Sequence, residues 1–339
     1  MLDDIASAVQ YIYLETYRFN NDSIGIRFRD ALVAAAKRGV EIKLLLDSWG
    51  TSLPSSFFQE LNGNDVNAEV RYFQKIKFFW DFFTKNHRRN HRKLLIIDDK
   101  VTWIGSANIS DYSLNWRESV LRVGSSITMR FKEIFLQHYD LYNKYVFEKL
   151  VTIEGIKEGN FEIVQDVPSL TRQRIRKRFI ELIRSAREEI LIETPYFLPS
   201  SSIRRAMTEA AGRGVKIEVV IPFHSDVGLV DLLRNRYLGP LSKAGVSFYL
   251  YGPHNLHAKL LMIDRRFFAV GSPNFDYRSF RFQHEIVLIG KQVTAAGQMY
   301  KHIKESMATS RKFDYSIWEK RSAISRFFEW LILPFRHLL

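Results

Sequence analysis

HRKLLIID, residues 91 to 98, places His91 and Lys93 two positions apart, ahead of an apolar run that closes on Asp98. In an extended segment alternate side chains share a face, so the imidazole and the ammonium emerge together while the apolar run enters a core. GSAN follows, with Gly105 seven residues after Asp98, then Ser106 and Asn108, and Glu118 lies 20 residues after Asp98. The chain carries this set twice. HAKLLMID places His257, Lys259 and Asp264 in the same register, and GSPN supplies Gly271, Ser272 and Asn274 at the same interval, with Glu285 21 residues after Asp264. An imidazole for attack or proton transfer, with an ammonium and an amide for phosphoryl oxygens, is a phosphate-reacting set. A single HxKxxxxD is more often a polar strand edge than a site. Two copies, each with its GSxN and later glutamate, reverse that balance.

The repetition extends beyond the motifs. YLETYRF (Tyr13 to Phe19) matches LIETPYF (Leu191 to Phe197), and AAKRGVEIKLLL (Ala35 to Leu46) matches AAGRGVKIEVVI (Ala210 to Ile221). Each half therefore begins with a strand, then a helix, then a second strand. Ile24, Phe28, Ala31, Leu32 and Ala35 follow the helical period, and Gly39 is placed to end that helix in a left-handed cap. Ile203, Ala206, Met207, Ala210 and Ala211 repeat the pattern before Gly214. A further helix carries Ile175, Phe179, Leu182, Ile183 and Ala186 on one face and begins near Thr171, about 22 residues ahead of Glu193, whereas only 14 residues precede Glu15. The expectation is a shortened first helix, or a chain whose natural start lies upstream.

These residues resemble the paired motifs of the phospholipase D superfamily, and NHRRNHRKLLIID, NWRES and GSPNFDYRS look most like its bacterial cardiolipin synthase branch. The resemblance covers nearly the whole chain. It implies an α/β fold of two homologous phospholipase D-like repeats, each a mixed sheet flanked by helices, packed as a pseudo-twofold pair. We expect an N-terminal repeat over residues 1–150, a linker over 151–170, a C-terminal repeat over 171–308 and an amphipathic tail over 309–339. The linker reading rests on Gly155, Gly159 and Pro168 in a mixed segment.

The resemblance also implies a covalent phospho-enzyme on one histidine. His91 is assigned as nucleophile on that basis, with His257 protonating the departing glycerol and then deprotonating the incoming alcohol. Lys93, Lys259, Asn108 and Asn274 are expected to hold phosphoryl oxygens, assisted by Ser106 and Ser272. Glu118 and Glu285 would bond the far imidazole nitrogens, fixing the tautomer as the acid of a triad does. Asp98 and Asp264 complete the motifs as candidate catalytic residues, although their place down the strand favours a structural, salt-bridging role. His224, His254 and His284 read as surface or supporting histidines. No cluster has metal-ligand spacing, and the family's chemistry requires neither metal nor other cofactor.

Composition narrows the partners. The chain has no cysteine, which excludes thiol nucleophiles, disulfides and thiolate zinc sites. Its 50 Lys and Arg against 37 Asp and Glu give a net charge of +13, which suits anionic lipid or nucleic acid. Aromatics flanked by bases, among them Arg88, Arg89 and Arg92, in KIKFFWDFFTKNHRRNHRK suit a membrane interface or a nucleic-acid strand, and equally a core strand with a solvated loop. In the tail, Ile317, Ile324, Phe327, Phe328 and Leu331 give an apolar face opposite Lys320, Arg321 and Arg326, as an interfacial helix would. No run of 18 apolar residues and no signal peptide is visible.

The leading expectation is a peripheral protein on the cytoplasmic side of a bacterial membrane, making cardiolipin from phosphatidylglycerol. Its rivals are a phospholipase D-type hydrolase, a superfamily nuclease acting on DNA or RNA, and a non-catalytic lipid-binding scaffold. Gln283 stands where the synthases often have asparagine, which leaves the acceptor alcohol open.

Overall fold

A computed structural model describes residues 1–63, 65–74, 88–124, 126–143, 155–169 and 171–337. The first half contributes β1 (Tyr11–Thr16), β2 (Glu41–Asp47), β3 (Ala68–Phe73), β4 (Leu94–Ile97), β5 (Val101–Gly105) and β6 (Val120–Val123). They form one sheet in the order β3-β2-β1-β4-β5-β6, parallel from β3 to β1 and antiparallel from β1 to β6. The second half contributes β7 (Ile156–Glu158), β8 (Phe161–Asp166), β9 (Glu189–Glu193), β10 (Lys216–Pro222) and β11 (Val246–Tyr251). It continues with β12 (Leu260–Ile263), β13 (Phe267–Gly271), β14 (Glu285–Gly290) and β15 (Ser310–Lys312). Their order is β15-β11-β10-β9-β12-β13-β14-β8-β7, so β11 to β14 reproduce the first sheet strand for strand and direction for direction.

The motif runs LLII and LLMI are β4 and β12, buried along their whole length because helices or the opposite repeat cover both faces. The expected helices form at Ser23–Lys37, Arg174–Ser185 and Ser201–Gly212. Gly39 and Gly214 end two of them at φ of 90° and 85°, the left-handed conformation that the sequence called for. The first helix, Leu2–Ala6, has five residues where its counterpart Arg174–Ser185 has twelve.

The sheets pack through β5 and β6 against β13 and β14. Their shared core joins Tyr13, Ile96 and Phe131 of one half to Leu191, Met262 and Ile286 of the other. Burying apolar surface across that seam welds the repeats, at roughly 25 cal/mol per Å².

Two expectations change. Part of the segment read as a linker is β7 and β8, which add to β14 of the second sheet; Ile163 and Val164 are buried there, so the apolar pattern outweighs the flanking glycines. The tail begins with β15, which pairs with β11, before its helices Tyr315–Glu319 and Ala323–Leu331.

Candidate active site

The segments leading into β4 and β12 bring their histidines to one cleft of about 220 Å³, whose walls include His91, His257, Asn108, Asn274, Tyr17, Trp116, Arg278 and Gln283. The two halves exchange their glutamates. His91 Nδ1 lies 3.0 Å from Glu285 Oε1 of the second repeat, and His257 Nδ1 lies 2.8 Å from Glu118 Oε1 of the first. A carboxylate on Nδ1 holds the proton there and leaves Nε2 with a lone pair. Each site is thus assembled only when the repeats meet. Aromatic edges steady the rings, Tyr17 against His91 with centroids 5.5 Å apart and Trp116 against His257 at 5.3 Å.

The lysines lie buried behind the histidines. Lys93 Nζ donates to His91 O at 2.8 Å, and Lys259 Nζ to His257 O at 2.9 Å. Burial, and for Lys93 the nearby Lys259 charge, lower the two ammonium groups to about 7 and about 8. Burial raises the Glu285 carboxyl to about 7, against the pull of Ser272 and Lys93. Burial also pushes Glu118 upward, but His257, Lys259 and a bond from Ser106 overcome it and hold the carboxyl at about 2. His91 is driven well below its ordinary value by burial and then by Lys93 and Lys259. His257 is also lowered by burial, with the Glu118 charge opposing. In the ligand-free enzyme the lysines lose their protons as pH rises through 7 to 8, so the site loses the charge that attracts a phosphodiester. We therefore expect kcat/KM to fall on the alkaline side of about pH 8, as a pH profile in neutral-detergent micelles would show.

The GSxN segments shape this site. A Cβ on Gly105 would fall 2.2 Å from Ser119 O, and one on Gly271 2.3 Å from Ile286 O, so glycine permits the close approach of β6 and β14. The Ser106 and Ser272 hydroxyls face Glu118 and Glu285 and also accept from Ser119 N at 2.8 Å and Ile286 N at 3.0 Å. They are turned toward these glutamates and the β-strand backbone, and neither is among the residues that line the cleft. Asn108 and Asn274 border the cleft, the latter bonded to Asp276.

Asp98 and Asp264 are corrected from candidate catalytic residues to structural ones, and neither borders the cleft. Asp98 accepts backbone N–H bonds from Val9, Gln10 and Tyr11 at 2.7 to 2.9 Å, and Asp264 from Arg187, Glu188 and Glu189 at 2.8 to 3.0 Å. They open the tight turns after β4 and β12 with φ of 54° and 51°, which aims the carboxylate at the start of β1 or β9. They bind amides where a salt bridge was expected. Asp98→Ala should destabilise the protein by about 1–3 kcal/mol by stranding those donors, while kcat of the folded fraction stays unchanged. Urea unfolding with parallel activity measurement checks this.

Of the aromatic and basic segment, residues 75–87 lie outside the described residues. Arg89 and Arg92, in the segment read either as a membrane interface or as a core strand with a solvated loop, are buried. Arg89 pairs with buried Asp47 at 2.7 Å, and Arg92 Nη2 donates to Gln165 at 3.0 Å, because β2 and β8 bring acceptors beneath the motif. His224 and His254 are exposed and His284 is buried. Sequence reading passed over Tyr17, Trp116, Arg278, Tyr196 and Asp226 in the cleft: four come from loops and Arg278 from the short helix Tyr277–Phe282, and none has a repeated partner of the same type.

Comparison with known proteins places this geometry. The cardiolipin synthase, phospholipase D-like domain family matches residues 1–139 and 179–307, both repeats. The chain belongs to that family. The major cardiolipin synthase of Bacillus subtilis is 30% identical over 336 residues, 95% of this chain and 69% of the relative. A cardiolipin synthase of Clostridium perfringens is 32% identical over 348 residues, 98% of this chain and 72% of the relative. Phosphatidylserine synthase of Haemophilus influenzae shares the fold with a TM-score of 0.73 over 99% of this chain and 90% of that one, at 13% identity. The cardiolipin synthase family is a group of phospholipid transferases within the phospholipase D superfamily, and the chain's two-repeat α/β architecture is theirs.

Proposed function

We propose that the protein joins two phosphatidylglycerol molecules into cardiolipin through a phosphatidyl-histidine, with release of glycerol. The observation that carries the reading is the crossed arrangement: two imidazoles, each held at Nδ1 by the opposite repeat's glutamate, border one cleft above two buried lysines. In the first step His91 Nε2 attacks phosphorus, the bond from phosphorus to the glycerol oxygen breaks, and His257 gives that oxygen its proton. In the second, His257 takes the proton of the acceptor hydroxyl, whose oxygen displaces His91. A nucleophile must be neutral and a general acid protonated. Of the two cleft imidazoles, His91 is driven well below its ordinary value by burial and then by both lysines, whereas the burial that lowers His257 is opposed by the ionised Glu118, which favours the acid role for His257. Protonated Lys93 and Lys259, with Asn108 and Asn274, offset charge on the phosphoryl oxygens. Gln283 borders the cleft, so the departure noted in the sequence falls where the headgroup or acceptor would lie.

Pure protein with labelled phosphatidylglycerol in mixed micelles tests this, with single-stranded DNA in parallel. Cardiolipin with equimolar glycerol supports the proposal. Phosphatidic acid alone indicates transfer to water, and DNA cleavage with inert lipid overturns the lipid reading.

We further propose a peripheral position on the cytoplasmic membrane face. Among the described residues no helix is long and apolar enough to cross a membrane. The tail docks on the Gly228–Lys243 helix through Trp318, whose ring lies against Gly239 and whose Nε1 donates to Asn235 O at 2.8 Å, while Ile332 and Leu333 pack on the core and Arg321 pairs with buried Glu329 within the tail at 2.8 Å. Ile317, Ile324, Phe327, Phe328, Trp330 and Leu331 are left exposed, as suits insertion at a lipid surface. Deleting residues 313–339 should weaken binding to anionic liposomes at least tenfold, with activity on a short-chain soluble substrate changed less than twofold, taking ~1.4 kcal/mol per tenfold. Co-sedimentation and a soluble-substrate assay measure the two.

A further inference from the structure

The residue before each orienting glutamate is Arg117 in the first repeat and His284 in the second. Each crosses the seam twice. Arg117 O accepts from His257 N and Ala258 N, both at 2.8 Å, and His284 O accepts from His91 N at 3.0 Å. The side chains of the same two residues then reach the last helix of the opposite repeat. Arg117 Nε donates to Ser306 Oγ at 3.0 Å and its Nη2 to His302 O at 2.8 Å, on the Val293–Ala308 helix. His284 Nδ1 lies 3.0 Å from Nε2 of His138, on the Ile127–Tyr139 helix.

Both paths close on a buried glutamate beside the motif strand. Ser306 Oγ donates to Glu193 at 2.8 Å, and Glu193 ends β9 opposite Leu260, the residue after Lys259. His138 Nδ1 bonds Glu15 at 2.6 Å, and Glu15 ends the pairing of β1 opposite Leu94, the residue after Lys93. Asn90, next to His91, donates to the same Glu15 oxygen at 2.8 Å. Each catalytic histidine is therefore held at Nδ1 by a glutamate and at its backbone by the residue preceding that glutamate. That preceding residue is in turn tied to the histidine's own repeat.

We infer that Arg117 and His284 are positioning residues, a crossed pair of latches in which Arg117 sets the placement of His257 and His284 that of His91. They touch no reacting atom. They act through the carbonyl that fixes each motif strand and through the register of Glu118 and Glu285, and an error of about 1 Å at such a point costs on the order of 100-fold in rate. The two latches differ in chemistry, one a guanidinium side chain 26% exposed and the other an imidazole pair sealed in the core. The repeats are thus interchangeable in fold but not in how their histidines are held. The inference rests on the reading of His91 and His257 as the reacting pair, and its first readout does not require turnover.

In histidine-selective 15N-labelled protein, the Nδ1–H protons of His91 and His257 should give two low-field resonances, assigned by His91→Asn and His257→Asn. Arg117→Met, which keeps the aliphatic stem, should shift or broaden the His257 resonance and spare that of His91. His284→Leu should do the reverse, and His284→Asn, whose amide sits where Nδ1 was, should restore the His91 resonance. With phospholipid, both breaking variants should lose roughly tenfold to 100-fold in kcat with KM within about twofold. Both resonances unmoved, both lost together in each variant, or kcat per folded molecule unchanged would overturn the latches. Wild-type protein inert toward phospholipid would instead count against the proposed reaction, with the resonances still deciding the positioning.

Discussion

His91→Asn is expected to lower transfer from phosphatidylglycerol on the order of 10⁴-fold or more, the scale seen when a covalent nucleophile is removed. The variant is chosen for what it keeps. An asparagine amide occupies the place of Nδ1 and can still donate to Glu285, so the buried carboxylate keeps a partner while Nε2, the proposed attacking atom, is gone. KM should stay within a few fold, because the lysines and asparagines remain. His257→Asn should be damaged comparably toward phosphatidylglycerol, for a different reason: glycerol leaves as an alkoxide unless protonated. The two defects separate with a p-nitrophenyl phosphodiester of the same lipid, whose leaving group needs no acid. Formation of the covalent adduct should then return to within about tenfold of wild type in His257→Asn and stay absent in His91→Asn. Single-turnover quench measures both. Rescue of His91→Asn in place of His257→Asn would reverse the roles.

Glu285→Gln and Glu118→Gln should each cost about 10²- to 10⁴-fold in kcat, because an amide accepts from Nδ1 without stabilising the imidazolium and admits the wrong tautomer. Their interest lies in the crossing. Glu285 belongs to the second repeat but holds His91, so Glu285→Gln should behave as a nucleophile defect that the p-nitrophenyl substrate does not relieve. Glu118→Gln should behave as an acid defect that it does. Glu285 is fully buried, and its loss removes a carboxyl raised to about 7 by desolvation, so thermal stability should hold or rise in that variant. If each glutamate variant instead reproduced the defect of the histidine in its own repeat, the crossed site would be contradicted.

Much of this was legible in the chain. Periodicity of two around His91 and Lys93, an apolar run, and the same interval to a GSxN segment in both halves carry the strand pair, its turn and the composite site. Self-alignment carries the repeated sheet order. What escaped has physical reasons. Asp98 and Asp264 look chemical by residue type, yet the left-handed turn after each strand aims them at backbone amides on the far side from the cleft. Arg89 and Arg92 read as surface bases, because a buried arginine is visible only when Asp47 and Gln165, 42 and 73 residues away, are known to converge on it. Trp116 stands just before Arg117 in the place that Gln283 holds before His284, but the two differ in type, so repeat matching passes over Trp116, and Gln283 shows only as a departure from the family pattern. The exchange of glutamates between halves was beyond the sequence, since equal spacing within each repeat says nothing about which histidine each will meet.

The most direct test is to quench the enzyme with acid during turnover of labelled phosphatidylglycerol and to locate the trapped label by peptide mass spectrometry. The expected result is one phosphatidyl group on His91, formed and lost at rates that account for the appearance of cardiolipin. Label confined to His257, or cardiolipin formed at the same rate with no protein adduct at any time, would contradict the covalent route at the first motif.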